Sequence, residues 1–315
     1  MIDLPSFADV VVARERIAPY VHRTPVHSSS TFNALTQAEV FFKCENLQRV
    51  GAFKARGACN AVFALDEEGL ARGVATHSSG NHGAAVALAA MLRQSPAYVV
   101  MPSNSSEVKR AAVRHYQANV VDCEPGMRAR EDTLARVVQD TGAHMVHPYD
   151  DSMVIAGQGT AALELMEEVE KLDVILVPVG GGGLIGGTLL AAAGFGAGTR
   201  VIGVEPRQAD DALRSIRSGR RVVMDSSDTV ADGLRASLGV RNFELIHRHV
   251  EDIVCVEESE IIAAMRFVWE RMKLVIEPSS AVPVAALLHH RLELQGQRVG
   301  VIISGGNVDL DHLPW

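Results

Sequence analysis

Four short stretches hold residues whose types and spacing could do chemistry. The first is Gly51-Ala52-Phe53-Lys54-Ala55-Arg56-Gly57. A lysine opening a helix faces the positive end of the helix dipole, and small neighbours leave its amine partly desolvated. Both effects lower its pKa, as a Schiff-base lysine requires. On its own the segment also reads as a surface lysine on an amphipathic helix. The second is His77-Ser78-Ser79-Gly80-Asn81-His82-Gly83, ahead of the alanine-rich run AAVALAAML. Small hydroxyl and glycine residues at a helix N-terminus bind anions such as a substrate carboxylate. Capping by Ser79 or Asn81 is the simpler alternative. The third is Gly180-Gly181-Gly182-Gly183, between VILVPV and a helix, where successive backbone N–H groups can nest a phosphate. The fourth is Ser304-Gly305-Gly306-Asn307, where Ser304 ends a strand and can point into a crevice; a plain turn is the alternative.

The elements that must position these residues follow from the hydrophobic pattern. Residues 39–45, 73–78, 97–101, 118–124, 144–148, 173–179, 200–205 and 298–304 read as strands. Several are apolar at consecutive positions, as expected when both faces of a sheet are covered. Residues 106–117 read as a helix after Asn104, with Glu107 in a capping-box pattern. Residues 258–272 carry Ile261, Met265, Val268, Trp269 and Met272 on one stripe. Strands and helices in alternation predict an α/β protein with mostly parallel sheets.

Composition narrows the function classes. At roughly 150 residues per domain, 315 residues suggest about two domains. A net charge of −8 leaves no global basic field for nucleic acid or anionic lipid. Cys44, Cys59, Cys123 and Cys255 form no metal-binding or redox spacing, which reads as a reduced, cytoplasmic chain. The first residues, with Asp3, Asp9, Arg14 and Glu15, read as an amphipathic helix start and not as a signal peptide. Residues 174–199 are uncharged and long enough to span a bilayer, but nine glycines and Pro178 favour a strand, a turn and a helix.

Together, the reactive lysine, the carboxylate loop, the phosphate nest and the strand-end serine are the parts of a pyridoxal-phosphate site. A rival reading takes Gly181–Gly186 as G-x-G-x-x-G with Glu205 ending the next strand, the pattern of a nicotinamide-binding oxidoreductase. That reading has no use for the lysine or the carboxylate loop.

As a set these motifs resemble the fold-type II pyridoxal-phosphate enzymes of the serine/threonine dehydratase and serine racemase group. The resemblance runs from RTPVHSSSTFN (23–33) to GGNVDLDHLPW (305–315). It implies a tryptophan synthase β-like fold, two open twisted α/β domains with the cofactor between them. Residues 1–69 plus 146–315 would form the large domain and 70–145 a smaller one that closes on substrate. Lys54, preceded by Phe53, would hold the cofactor as a Schiff base and act as the catalytic base. Asn81 would meet its 3-hydroxyl, Gly180 to Gly183 its phosphate, and Ser304 its pyridine nitrogen. Ser78, Ser79, Asn81 and His82 would form the substrate loop. Arg130, or a histidine such as His82, would bind a second substrate carboxylate.

The family has Ser before Phe-Lys, where this chain has Ala52. Alanine there, and the ending NVDLDHLPW, fit the 3-hydroxyaspartate dehydratase branch. The implied reaction is loss of water from a β-hydroxy amino acid (3-hydroxyaspartate, threonine or serine), giving a 2-oxo acid and ammonia. Ser79, opposite Lys54, would make the chain a serine or aspartate racemase in the alternative. Glu205, the Ala209 carbonyl and Asp211 match the family's site for Mg²⁺, with Ca²⁺ or Mn²⁺ as substitutes; a solvated acidic turn is the alternative. The resemblance also implies a homodimer. With no further domain after Ser304, feedback by isoleucine is not expected.

Overall fold

The computed structural model describes residues 2–78, 80–105, 107–196, 198–224 and 226–315. The chain opens with α1 (Phe7–Ile17), whose first turn is closed by reciprocal hydrogen bonds between Ser6 and Asp9. Then come β1 (Val26–His27), α2 (Ser30–Thr36), β2 (Glu39–Cys44), α3 (Lys54–Phe63) and α4 (Glu67–Arg72). β3 (Val74–His77), α5 (Asn81–Leu92), β4 (Ala97–Pro102), α6 (Glu107–His115), β5 (Asn119–Cys123), α7 (Met127–Thr141) and β6 (His144–Met145) follow. The chain continues through α8 (Ser152–Glu168), β7 (Val174–Pro178), α9 (Gly183–Phe195), β8 (Arg200–Pro206) and α10 (Asp211–Ser218). It finishes with α11 (Val240–His249), β9 (Asp252–Val256), α12 (Glu258–Phe267), α13 (Pro278–Leu288) and β10 (Arg298–Ile303).

These strands form two sheets, in the orders β1-β2-β10-β7-β8-β9 and β5-β4-β3-β6. Among these strands only β1 and β2 pair antiparallel. All eight strand readings fall on observed strands. β1 and β9 were not anticipated, and β6 ends at Met145, short of the expected 148. Pro148 has no N–H to give a sheet. Helix 258–272 is α-helical to Phe267 and ends in a π turn over Val268–Met272. Ser106, the first residue of the expected helix 106–117, lies outside the described residues, and α6 ends at His115. The uncharged run resolves into β7, the glycine turn and α9 of 13 residues. Among the described residues no helix is long and apolar enough to cross a membrane. All four cysteines are buried and unpaired.

Both faces of the larger sheet are covered. Leu176 and Val301 face one apolar cluster, while their neighbours Ile175 and Ile302 face another. This is why β7 and β10 read as continuous apolar runs. On one face, α8 and α9 meet backbone to backbone: a Cβ on Gly187 would lie 2.4 Å from the Gly159 nitrogen. α3 packs against the same α8.

Beneath α3 lies a fully enclosed charge network. Arg56 grips Glu45 through Nε and Nη2 at 2.7 and 2.8 Å, and Glu164 through Nη1 and Nη2 at 2.7 and 2.8 Å. Lys43 completes it, 2.7 Å from Glu164 and donating to the Thr24 carbonyl. Thr24 in turn donates to Glu45 at 2.6 Å. The two cations balance the two carboxylates, the condition under which buried charges are tolerated. Arg56 is two residues from Lys54, so the network fixes the helix that begins there.

Candidate active site

A cavity of about 220 Å³ opens between the carboxyl ends of strands from both sheets. Ligands bind in this position in open α/β sheets. Three of the four sequence motifs arrive here directly from a strand: Ser78 after β3, the glycine turn after β7 and Ser304 after β10. Lys54 arrives from the turn after β2.

Lys54 is the first residue of α3, as the sequence predicts. Its Nζ donates to the Pro148 carbonyl at 2.7 Å and lies 5.1 Å from the Phe53 ring centroid. Burial lowers its pKa to about 8, against the opposing charge of Glu277. An amine so tuned is part-neutral near physiological pH and nucleophilic. Phe53 donates its backbone N–H to the Ser304 carbonyl at 2.9 Å, joining the start of α3 to the end of β10. Ala52 is fully buried and bridges Gly305, and it is not among the residues lining the cavity.

The glycine turn is a cradle that side chains would fill. A Cβ on Gly181 would lie 2.3 to 2.5 Å from atoms of the Tyr149 ring, and one on Gly180 2.8 Å from Leu234 Cα. Gly182 has φ +89° and caps α9, so this helix N-terminus opens to the cavity without Cβ atoms in the way. Gly183 lines the cavity beside them. Such a nest suits a phosphate.

Ser304 is buried, with its Oγ 3.0 Å from Ser280 Oγ. Ser280 donates to the Gly305 carbonyl and accepts from the Gly305 nitrogen. Ser78 and Asn81 line the opposite wall, Ser78 Oγ accepting from Gly80 N at 3.2 Å. Ser79 lies outside the described residues.

His82 lines the cavity but does not suit a carboxylate. Its Nε2 meets the Val146 carbonyl at 3.2 Å and must therefore donate. Burial first, and the charge of Lys54 second, hold its pKa well below the ordinary value. The neutral ring thus keeps a lone pair on Nδ1, which is buried without a partner among the described residues. That atom accepts; it cannot hold an anion. Arg130, on α7, is the better placed cation: it lines the same cavity, and its Nε is buried without a partner among the described residues. His77 beside it is held neutral, at about 4, by burial and by the charge of Arg130.

Glu205 and Asp211 lie together away from the cavity, both fully buried. Glu205 accepts from Ala212 N and Leu213 N at 3.0 and 2.9 Å, and Asp211 Oδ2 from Leu238 N at 2.9 Å. Burial, and then the charge of Asp211, push the Glu205 pKa well above its ordinary value; burial raises Asp211 to about 6. Asp211 Oδ1 has no partner among the described residues. Two adjacent buried carboxylates with an unused oxygen have the donor chemistry of a hard-cation site. No group of three metal-ligating side chains occurs among the described residues. Because Glu205 is spent on α10 and does not line the cavity, it is not available to a ribose beside the glycine turn.

Sequence reasoning missed Glu277, Tyr149's contact with the glycine turn, and Ser280. Glu277 lines the cavity and is 5% exposed. Its only sequence signal is Glu before Pro-Ser-Ser at a helix start, which reads as an ordinary helix N-terminus.

Residues 17–305 match the family model described as pyridoxal-phosphate dependent enzyme. The chain is 49% identical to beta-hydroxyaspartate dehydratase of Paracoccus denitrificans, over 99% of each chain. It is 44% identical to L-threo-3-hydroxyaspartate ammonia-lyase of Saccharomyces cerevisiae, over 98% of this chain and 94% of that one. The crystal structure of serine racemase from Dictyostelium discoideum superposes with a TM-score of 0.93 at 47% identity, covering 97% of this chain and 99% of that one.

Proposed function

Because the chain belongs to the pyridoxal-phosphate-dependent enzymes, we propose that it is a dehydratase (ammonia-lyase) acting on 3-hydroxyaspartate. The observation that carries the substrate is Arg130. It lies in the cavity that holds Lys54, with part of its guanidinium buried and unpaired among the described residues. A substrate with a second carboxylate would supply the missing partner. Serine and threonine have none. The identity to two hydroxyaspartate-acting relatives supports the same choice.

The residues present fit the cofactor. Gly180 to Gly183 would hold its phosphate, Lys54 its aldehyde carbon, Phe53 its ring face, Asn81 its 3-hydroxyl and Ser304 its pyridine nitrogen. When bound, pyridoxal phosphate supplies an electron sink for the carbanion at the substrate Cα. Lys54 would accept the substrate Cα proton at Nζ. The backbone and hydroxyl groups of Ser78 and Ser79 would hold the α-carboxylate. Ser304 is a neutral partner and does not force a proton onto the ring nitrogen. Water leaves across Cα–Cβ, and hydrolysis of the freed enamine yields the 2-oxo acid and ammonia. Residues 70–145 would form a smaller domain against 1–69 plus 146–315, and its closure would exclude water. Glu205, Ala209 and Asp211 would hold Mg²⁺. We also place the protein in the cytoplasm, as a homodimer.

The test is release of ammonia and 2-oxo acid by the cofactor-loaded protein with the 3-hydroxyaspartate stereoisomers, L-threonine and both serines. One hydroxyaspartate isomer should dominate, and Arg130→Met should raise its KM about a hundredfold while leaving serine nearly unchanged. Equal losses on both substrates would remove Arg130 from substrate recognition. The racemase reading stands on the likeness to the Dictyostelium enzyme. It would be favoured if L-serine or L-aspartate lost optical rotation and no substrate gave a keto acid.

A further inference from the structure

Glu277 precedes α13, and its carbonyl accepts from Ser280 N at 3.0 Å, but its side chain does not cap that helix. Its carboxylate reaches instead across the cavity wall. Oε1 and Oε2 accept from Asn81 Nδ2 at 3.1 and 3.0 Å. Its backbone N–H is tied to the Gly305 carbonyl at 3.1 Å, beside Ser304. The other end of the Asn81 amide is also held: Oδ1 accepts from Asn307 Nδ2 at 2.9 Å. Asn307 is itself fixed by donating to the Val50 carbonyl at 2.7 Å.

The inventory of the Asn81 amide then closes. Its oxygen is occupied by Asn307, and one N–H of Nδ2 is occupied by Glu277. One N–H remains. A side-chain amide without such partners can turn over and offer its oxygen instead. An ionised carboxylate accepts only, so it permits one orientation. We propose that Glu277 is a positioning residue: with Asn307 it locks the Asn81 amide so that a single N–H faces the cofactor's ring oxygen. The inference rests on the placement of Asn81 at the cofactor. Burial pushes the Glu277 pKa to about 7, offset by Asn81 and the Asn307 backbone; Asp232 raises it further and Lys109 lowers it. Lys54 is the other charged group that feels it. The lock is therefore firmest when Glu277 is ionised.

The test is titration of the unloaded protein with pyridoxal phosphate, following the visible band of the bound cofactor and its Kd. Glu277→Ala should weaken binding about tenfold, the worth of roughly one hydrogen bond, and displace the band. Glu277→Gln, which can still accept from Asn81, should stay within about threefold. In an Asn81→Ala background, measured at a pH above the Lys54 titration so that Lys54 is neutral with or without Glu277, Glu277→Ala should have no further effect on Kd or band position. Asn307→Ala frees the other end of the amide, should behave as Glu277→Ala does, and serves if that variant does not fold. Effects of Glu277→Ala or Asn307→Ala that persist after Asn81→Ala would overturn the proposal, as would a Gln variant as damaged as the Ala variant. Asn81→Ala with wild-type Kd and band would instead overturn the placement of Asn81 itself.

Discussion

Removing Arg56 should destabilise the fold more than any other single change at a charged residue. Arg56 has no solvent exposure and makes four charge-assisted hydrogen bonds, two to Glu45 and two to Glu164. Arg56→Met keeps much of the volume but leaves two buried carboxylates facing Lys43 alone, a net charge of −1. Breaking a buried pair in this way costs about 3–5 kcal/mol. For a chain of this size, that corresponds to a fall in Tm of roughly 5–8 °C. Arg56→Lys keeps the charge but loses the fork, and should cost about half as much. Arg56→Met combined with Glu45→Met leaves Lys43 and Glu164 as a balanced pair. It should recover most of the loss, because burying a lone charge costs more than burying none. The pH dependence gives a second check. Burial raises the Glu164 pKa, but the hydrogen bonds and charge of Arg56, with Lys43 behind, bring it below its ordinary 4.5. A depressed carboxylate stabilises the fold above its unfolded pKa and loses that contribution as pH falls through the folded value. The gap between wild type and Arg56→Met should thus be full above about pH 4.5 and narrow below it. The assay is thermal unfolding of the unloaded proteins from pH 3.5 to 7.5. An Arg56→Met variant within 2 °C of wild type at pH 7, about 1 kcal/mol, would refute the reasoning.

Three further outcomes follow from the site. The rate at which unloaded protein captures pyridoxal phosphate should rise with pH through about 8, where Lys54 loses its proton, and the midpoint should move lower in Glu277→Gln, which removes the charge that raises it; stopped-flow absorbance measures both. Gly181→Ala should weaken binding of the cofactor at least tenfold, about 1.4 kcal/mol, because its Cβ lands 2.3 Å from the Tyr149 ring; a Kd within twofold of wild type would show that the turn can shift freely. A chelator should lower the Tm of wild type, with Mg²⁺ restoring it, and Asp211→Asn should blunt that response; a wild-type Tm indifferent to both would remove the cation from Glu205 and Asp211.

Much of this site was legible because its parts follow strands or open helices. Lys54 at the start of α3, the glycines after β7 and Ser304 after β10 combine local sequence with position on a parallel sheet. β9 was missed although Ile253 to Val256 are four consecutive apolar residues; the run is short and set between Glu251-Asp252 and Glu257-Glu258, so it stands out less than the longer runs of the sheet. β1 has two residues, too few for any period. The role of His82 turned on which ring nitrogen meets a carbonyl 64 residues away, which no spacing encodes. Glu277 is the same kind of case. Its partner Asn81 is 196 residues distant, and its neighbours Pro278 and Ser279 make it look like an ordinary helix cap.

The place of β10 in the larger sheet has a consequence for synthesis on the ribosome. β10 lies between β2 and β7 and pairs with both. Until it emerges, β2 lacks its parallel neighbour, and β7 exposes an open edge. About 120 residues separate the end of β7 from the end of β10. At about 5–20 residues per second, that edge stays unpaired for roughly 6–24 s. The sheet β5-β4-β3-β6 has all its strands much earlier and can close by then. The nascent chain therefore passes through a state with one finished sheet and one split sheet. Truncation before β10, or a stall there, should send it to chaperones or aggregation, since an unpaired apolar strand edge recruits other chains.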